Sequence, residues 1–243
     1  MTSAELRPTD FAQRVGWTTH VLKAIFAQPF ADLAPLLAPM IPPDAVVIDV
    51  GAHGGQFSKL FSRLAPRGRI LAIEPSAYAR SILGPALRWS RARNVEVWPV
   101  GVSDAPGRAS LLTPIKRKGD LGFGLAHLGA DASGRACVAH EVEITTLDAL
   151  VSKAGLERLD FVKMDIEGWE LNAVRGGLET LRRFSPPIYM EVNHAHLARA
   201  GATPEAVWAT MAELGYAARS TPDQRPADAY AGPADYLWLP RGD

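Results

Sequence analysis

The chain has 243 residues, 26 Lys plus Arg against 26 Asp plus Glu, and a hydrophobic fraction of 47%. That length buries a full core, with one large α/β domain favoured over two small ones, and the balanced charge gives no global field that argues for nucleic acid or an anionic membrane. The lone cysteine, Cys137, excludes an intrachain disulfide and fits a reducing compartment. No run approaches about 18 apolar residues, and the N-terminus carries acids with no apolar core. Neither a signal peptide nor a membrane span is therefore expected, and the expected location is cytoplasmic.

From residue 9 to 40, apolar positions including Phe11, Val15, Val21, Leu22, Ile25, Phe30, Leu33 and Leu37 recur at helical spacing, which predicts one or two cover helices ended by Pro42 and Pro43. Strands are then predicted at 46–50, 69–73, 95–102, 161–164 and 188–192. They alternate with helices at 56–64, 77–89, 169–181 and 204–214, the pattern of an α/β parallel sheet with helices on both faces. Between the third and fourth strands lies a long segment, 103–160, with a turn from Asp104 to Gly107, a short strand near 109–112, a glycine-rich tract at 116–135 and an alternating strand at 142–145. An insertion of this length, 104–145, reads as a lid or binding loop. At the tail, 216–219 and 236–239 flank a Pro- and Asp-rich loop and predict a terminal β-hairpin.

The first strand and its loop read VVIDVGAHGGQF, from Val46 to Phe57. Gly51, Gly54 and Gly55 let the backbone approach a ligand closely, as in nucleotide-binding turns. Asp49 stands where a pyrophosphate would meet a carboxylate rather than bare N–H groups, so the site suits a nucleoside cation such as S-adenosyl-L-methionine. Glu74, with Pro75 at the end of ILAIEP, is placed to accept from both ribose hydroxyls. The alternative is a tight turn with Asp49 capping the helix; His53 lies either over the ligand's carboxylate end or in solvent. After the third strand, Ser103 and Asp104 either read the adenine edge or form an Asx turn to Gly107.

The fourth strand runs into KMDIEGWE and the fifth into EVNH. Asp165, Glu167, Glu191, Asn193 and His194 thus gather at one crevice beside the topological switch point. Two mechanisms compete there. Either Asp165 and Glu191, with Asn193, bind Mg²⁺, or His194 or a carboxylate is a direct general base. Glu170 reads as a first-turn helix acid, Lys163 as one half of a structural ion pair, His196 as solvent-facing, and Lys116, Arg117 and Lys118 as either a solvated face or a grip on an acidic substrate.

In chain order VIDVGAHGGQFS, AIEPS, VGVSDAPGRASL, ITTLDAL and FVKMDIEGWELNAVRGG make the sequence similar to the FkbM family of methyltransferases over about residues 44–218. His53 stands where that family more often has asparagine, and LGFGLAHLG departs from its polar loop. The resemblance implies a Rossmann-like class I methyltransferase fold, with a seven-stranded, mostly parallel sheet of order 3-2-1-4-5-7-6 whose last strand is antiparallel. It implies cofactor contacts from Asp49, Gly51, His53, Gly55, Glu74, Pro75, Ser103, Asp104 and Asp165, and O-methylation of a hydroxyl on a small molecule of sugar, glycoconjugate or polyketide type. Residues 1–43 would be cover helices and 44–243 the S-adenosyl-L-methionine-binding methyltransferase domain. No nucleic-acid partner is expected, and a homo-oligomer stays open. The rival readings are a catalytically inactive cofactor-binding partner subunit and an NAD-dependent oxidoreductase; Asp49 and the lack of a spaced G-x-G-x-x-G argue against the latter.

Overall fold

The computed structural model describes residues 11–114, 127–128, 137–221 and 223–241. In chain order it contains α1 (Phe11–Phe26), α2 (Ala34–Leu37), β1 (Val46–Val50), α3 (Gln56–Leu64), β2 (Arg69–Ile73), α4 (Ala77–Trp89), β3 (Val95–Trp98), β4 (Gly101–Val102), β5 (Gly107–Pro114), β6 (His127–Leu128) and β7 (Cys137–Thr145). There follow α5 (Leu147–Lys153), β8 (Phe161–Met164), α6 (Glu170–Arg175), α7 (Leu178–Phe184), β9 (Ile188–Val192), α8 (His194–Arg199), α9 (Pro204–Glu213), β10 (Tyr216–Ser220) and β11 (Ala234–Pro240). The main sheet runs β10-β11-β9-β8-β1-β2-β3, parallel except for β11, which is antiparallel to both neighbours. This is the expected seven-strand order read from the opposite edge.

Alternation along the strands decides what each face holds. Ile48, Val50, Val162, Met164, Ile188 and Met190 enter the core that also holds Leu171 of α6, Leu197 of α8 and Met211 of α9. Val47, Phe161 and Tyr189 point the other way, to Phe57 and Phe61 of α3 and Leu37 of α2. Asp49 and Lys163 share that second parity and are directly paired in the β1–β8 register. The ladder therefore sets a carboxylate beside an ammonium on the face that α3 covers.

Three elements depart from expectation. The third strand stops at Trp98, and Gly101–Val102 joins a separate sheet of order β4-β7-β5-β6; Pro99, which has no N–H to give a ladder, lies at the break. The helix expected at 169–181 is two, with Gly176 and Gly177 between α6 and α7. The long insertion contains a β-hairpin, β5 with β7, paired from Gly107↔Ile144 to Pro114↔Cys137, and it is followed by α5, whose N-cap Thr146 accepts from Ala149 N at 3.1 Å. Lys116, Arg117, Lys118 and the glycine-rich tract, apart from His127 and Leu128, lie outside the described residues.

The N-terminal segment bears on the expectation that no membrane span is present. Arg14–Met40, 27 residues that contain an 18-residue window of mean hydropathy 1.4, is long and apolar enough to cross a membrane by length and composition alone. Its charges, Arg14, Lys23 and Asp32, are spread through it, so no unbroken apolar run marks it. The backbone there is divided into α1, α2 and two 3₁₀ turns. It is fastened to the sheet layer by Lys59 of α3, only 3% exposed, whose Nζ donates to the carbonyls of Ala24, Ile25 (3.2 Å) and Ala27 (3.5 Å). Those are C-terminal carbonyls of α1 and the turn after it, which a helix cannot satisfy for itself. Burial, with a smaller contribution from Arg63, lowers the Lys59 pKa. Lys59→Met is expected to lower unfolding free energy by about 1–3 kcal/mol in urea melts and to hasten tryptic cleavage at Arg14 and Lys23. Unchanged cleavage kinetics would show that Lys59 does not anchor the segment.

Candidate active site

The ends of β1 and β8 meet at one point. Gly51 has φ 79°, and a Cβ there would lie 2.0 Å from the Asp165 carbonyl oxygen, so no larger residue lets the two strand ends approach this closely. Lys163 closes the junction. Its Nζ, on a side chain 3% exposed, donates to Gly51 O at 2.8 Å and Val50 O at 3.3 Å, and lies 3.4 Å from Asp49 Oδ1 and 3.8 Å from Asp165 Oδ2. Burial disfavours the ammonium, but the charges of Asp49, Asp165 and Glu74 outweigh it and hold its pKa above the usual lysine value. Asp49 is fully buried, and its Oδ2 accepts from Ser58 Oγ at 2.6 Å. Its carboxylate is thus engaged behind the loop and does not line the neighbouring cavity.

That cavity, of ≈ 300 Å³, opens at the carboxyl ends of β1, β2 and β8. Gly51, His53, Glu74, Pro75, Asp165 and Glu167 are among its lining residues. Apolar walls come from Val50, Ile73, Val100 and Val102, from Leu111 of the inserted hairpin, and from Phe30, whose ring stacks on Phe57 with centroids 4.1 Å apart. Glu74 is 6% exposed; its Oε2 accepts from His53 N and its Oε1 from Ser76 N, each at 2.8 Å. Burial is the largest influence on it and raises its pKa despite those two bonds.

Gly55, Ser103 and Asp104 do not line the cavity. Gly55 is the N-cap of α3. Ser103 Oγ accepts from Trp169 Nε1 at 3.2 Å and donates to Asp104 Oδ1 at 3.0 Å. For Asp104, burial would raise the pKa, but hydrogen bonds from Ser103 and Asn172 and the charge of Arg175 bring it below the usual range.

The second crevice, at the ends of β8 and β9, is crowded with acids. Glu167 has the left-handed backbone φ of 58°, a conformation tolerated where surrounding structure enforces it. Gly168 (φ 111°) follows, where a Cβ would lie 2.2 Å from His196 O. His196 Nδ1 lies 3.3 Å from both Glu167 Oε2 and Glu191 Oε2, and Arg199 Nη2 is 3.5 Å from Glu167 Oε2. Burial, then repulsion from Asp165, raises Glu167 to about 7 against the opposing pull of Arg199. Burial, then Asp165, Glu167, Glu170 and Asp235, raises Glu191 to about 8. Glu170, 1% exposed, accepts from Ile166 N at 2.9 Å and Gly168 N at 3.3 Å, so it braces the loop as expected of a first-turn acid.

Of the two histidines, the one among the carboxylates is His196. His194 is exposed and its Nδ1 lies 3.0 Å from Tyr230 Oη. The reason is local: Asn193 is the N-cap of α8, and on a helix residues two apart point roughly 200° from each other. The Asn-His-Ala-His string holds that signal once Asn193 is read as a cap. The same capping engages Asn193, whose Oδ1 accepts from Ala195 N at 3.0 Å. Among the described residues no group of three or more His, Cys, Asp or Glu is arranged to hold a metal ion. The expected set Asp165, Glu191 and Asn193 thus gains no support as a Mg²⁺ site.

A carboxyl that keeps its proton to higher pH when folded than when unfolded loses stability as pH rises between those two values. For Glu191 that window runs from about 4.5 to about 8. Glu191→Gln is expected to melt above the parent protein at about pH 9, with the gain vanishing near about pH 4.5. An equal Tm for the two proteins across this range would contradict the electrostatic reading.

The Methyltransferase FkbM domain model matches residues 49–218. The AMB antimetabolite synthetase AmbE of Pseudomonas aeruginosa is 32% identical over 169 residues, 56% of this chain and 8% of that one. The 2-O-methyltransferase NoeI of Sinorhizobium fredii is 30% identical over 154 residues, 58% of this chain and 60% of that one. This chain thus spans less than two thirds of either relative. SMU.1697c of Streptococcus mutans, solved in complex with SAH, superposes with a TM-score of 0.51 at 12% identity, covering 88% of this chain and 98% of that one. With the family match running from Asp49 to Ala218 and the sheet in the order of the class I methyltransferase fold, the chain belongs to the FkbM methyltransferase family.

Proposed function

We propose that this chain transfers a methyl group from S-adenosyl-L-methionine to a hydroxyl of a small molecule of sugar, glycoconjugate or polyketide type. The observation that carries the reading is Glu74 at the cavity edge. Each carboxylate oxygen holds one backbone N–H and keeps acceptor capacity, which suits a pair of ribose hydroxyls. The lining supports a cationic nucleoside over a phosphate ester: it contains the acids Glu74, Asp165 and Glu167, while its Lys163 is already paired with Asp49 and Asp165. The volume lies at the lower end for small-molecule sites. NoeI, named as a 2-O-methyltransferase, and a structural neighbour solved with SAH support the same reading.

When bound, the cofactor supplies a methyl carbon already activated by its sulfonium, so the protein's work is orientation and proton removal. Glu74 would hold the ribose, with His53 and Pro75 beside it and Ile73, Val100 and Val102 as apolar walls. Asp165 and Glu167 line the cavity where an acceptor would enter. Glu167, with a pKa of about 7, takes the acceptor's hydroxyl proton, and Glu191 acts on it through His196. His194 has no part in this scheme. Residues 44–243 form the catalytic domain and 1–43 its cover; Leu111 in the cavity wall supports a lid role for 104–145.

Calorimetric titration tests the reading. Glu74→Ala is expected to weaken S-adenosylhomocysteine (SAH) binding by about 10- to 100-fold, the loss of hydrogen bonds to a charged acceptor. Asp165→Asn should keep that affinity while abolishing SAH production from acceptor mixtures. Tighter binding of NADH than of SAH would replace the proposal with a dinucleotide enzyme.

A further inference from the structure

Helix α1 is apolar on two opposite sides. Val21 and Ala24 are buried with Ile82 and Ala86 of α4, as a cover helix requires. Val15, Leu22 and Phe26, seven and then four residues apart, fall on one stripe of the other side and are 49%, 48% and 63% exposed. Trp89, at the end of α4 and 65% exposed, meets Phe26 edge to face with centroids 5.8 Å apart. An exposed apolar stripe of this kind marks an interaction surface.

The charge around the stripe is of one sign. Residues 11–31 and 75–95, which include all of α1 and α4, contain no Asp or Glu, although the whole chain has as many acids as bases. Arg14, Lys23, Arg88, Arg91 and Arg93 there are exposed. We propose that the α1–α4 face docks on an anionic lipid bilayer, its apolar stripe entering the headgroup boundary and the flanking cations meeting lipid phosphates. A bilayer supplies both partners at once, apolar depth under a negative surface. The mode is peripheral: α1 is held on α4 by Trp17 Nε1 donating to Ser81 Oγ at 2.9 Å, and the Arg14–Met40 segment is broken between helices. Pro29 and Phe30, just past α1, line the cavity, so docking brings the cavity close to the lipid surface.

Vesicle co-sedimentation of the full chain tests the proposal, comparing phosphatidylcholine alone with phosphatidylcholine containing about 30% phosphatidylglycerol. Pelleting with the anionic vesicles only, and its loss at about 0.5 M salt, is expected. Leu22→Glu with Phe26→Glu should lower the bound fraction about tenfold or more. The surface triple variant Lys23→Gln, Arg88→Gln, Arg91→Gln should do the same with an unchanged thermal melt, which keeps the test decisive if the first variant misfolds. No pelleting above the neutral-lipid control, or equal pelleting of parent and triple variant, would overturn the proposal. A dimer in sedimentation equilibrium that Phe26→Glu dissociates, without vesicle binding, would overturn it in favour of a second copy on this face.

Discussion

The ammonium of Lys163 is the constraint on which the rest of the site depends. Sheet register sets it beside Asp49, and side-chain alternation buries both under α3. There it holds the carbonyls of Val50 and Gly51 on one strand and the carboxylate of Asp165 on its own. A single buried charge thus joins the two strand ends that frame the cavity. Removing Asp49 or Lys163, both buried, leaves the other uncompensated, a loss on the order of 3–5 kcal/mol. Because Asp49 and Asp165 already pair with Lys163, the cavity presents no unmatched Lys or Arg among its described lining residues, and its remaining polar lining includes Glu74, Glu167, His53 and Gln56.

The acids of the β8–β9 crevice stand in tension with stability. Asp165, Glu167, Glu170, Glu191 and Asp235 repel one another, and the pKa values of about 7 for Glu167 and about 8 for Glu191 express that repulsion on top of burial. Carboxyls tuned to near neutrality are suited to accept a proton at physiological pH. His196 and Arg199 moderate the crowding without cancelling it. Asn193 meanwhile caps α8, and Asp165 lies 3.8 Å from the Lys163 ammonium.

Much of the fold was legible because its central strands are short, apolar and bounded by turn residues. The spans 46–50, 69–73, 161–164 and 188–192 coincide with β1, β2, β8 and β9, and the tail hairpin is where its flanking residues indicate. What escaped reading was set by tertiary context. Pro99 divides an apparently continuous strand between two sheets, and two glycines divide one amphipathic pattern into α6 and α7. In the site, spacing located the loop, Glu74 and the Asp165–Glu167 pair. Composition along a strand end could not say which way Asp49 turns; only its register opposite Lys163 does. The choice of His196 over His194 rests on a helical phase that one N-cap residue decides.

What Glu74 and Lys163 face decides the proposed function. A crystal structure of the chain with SAH bound is predicted to show both ribose hydroxyls on the Glu74 carboxylate, the sulfur directed toward Asp165 and Glu167, and Lys163 still paired with Asp49. Ligand density away from Glu74, or Lys163 withdrawn from Asp49 to bind the ligand's carboxylate, would contradict it.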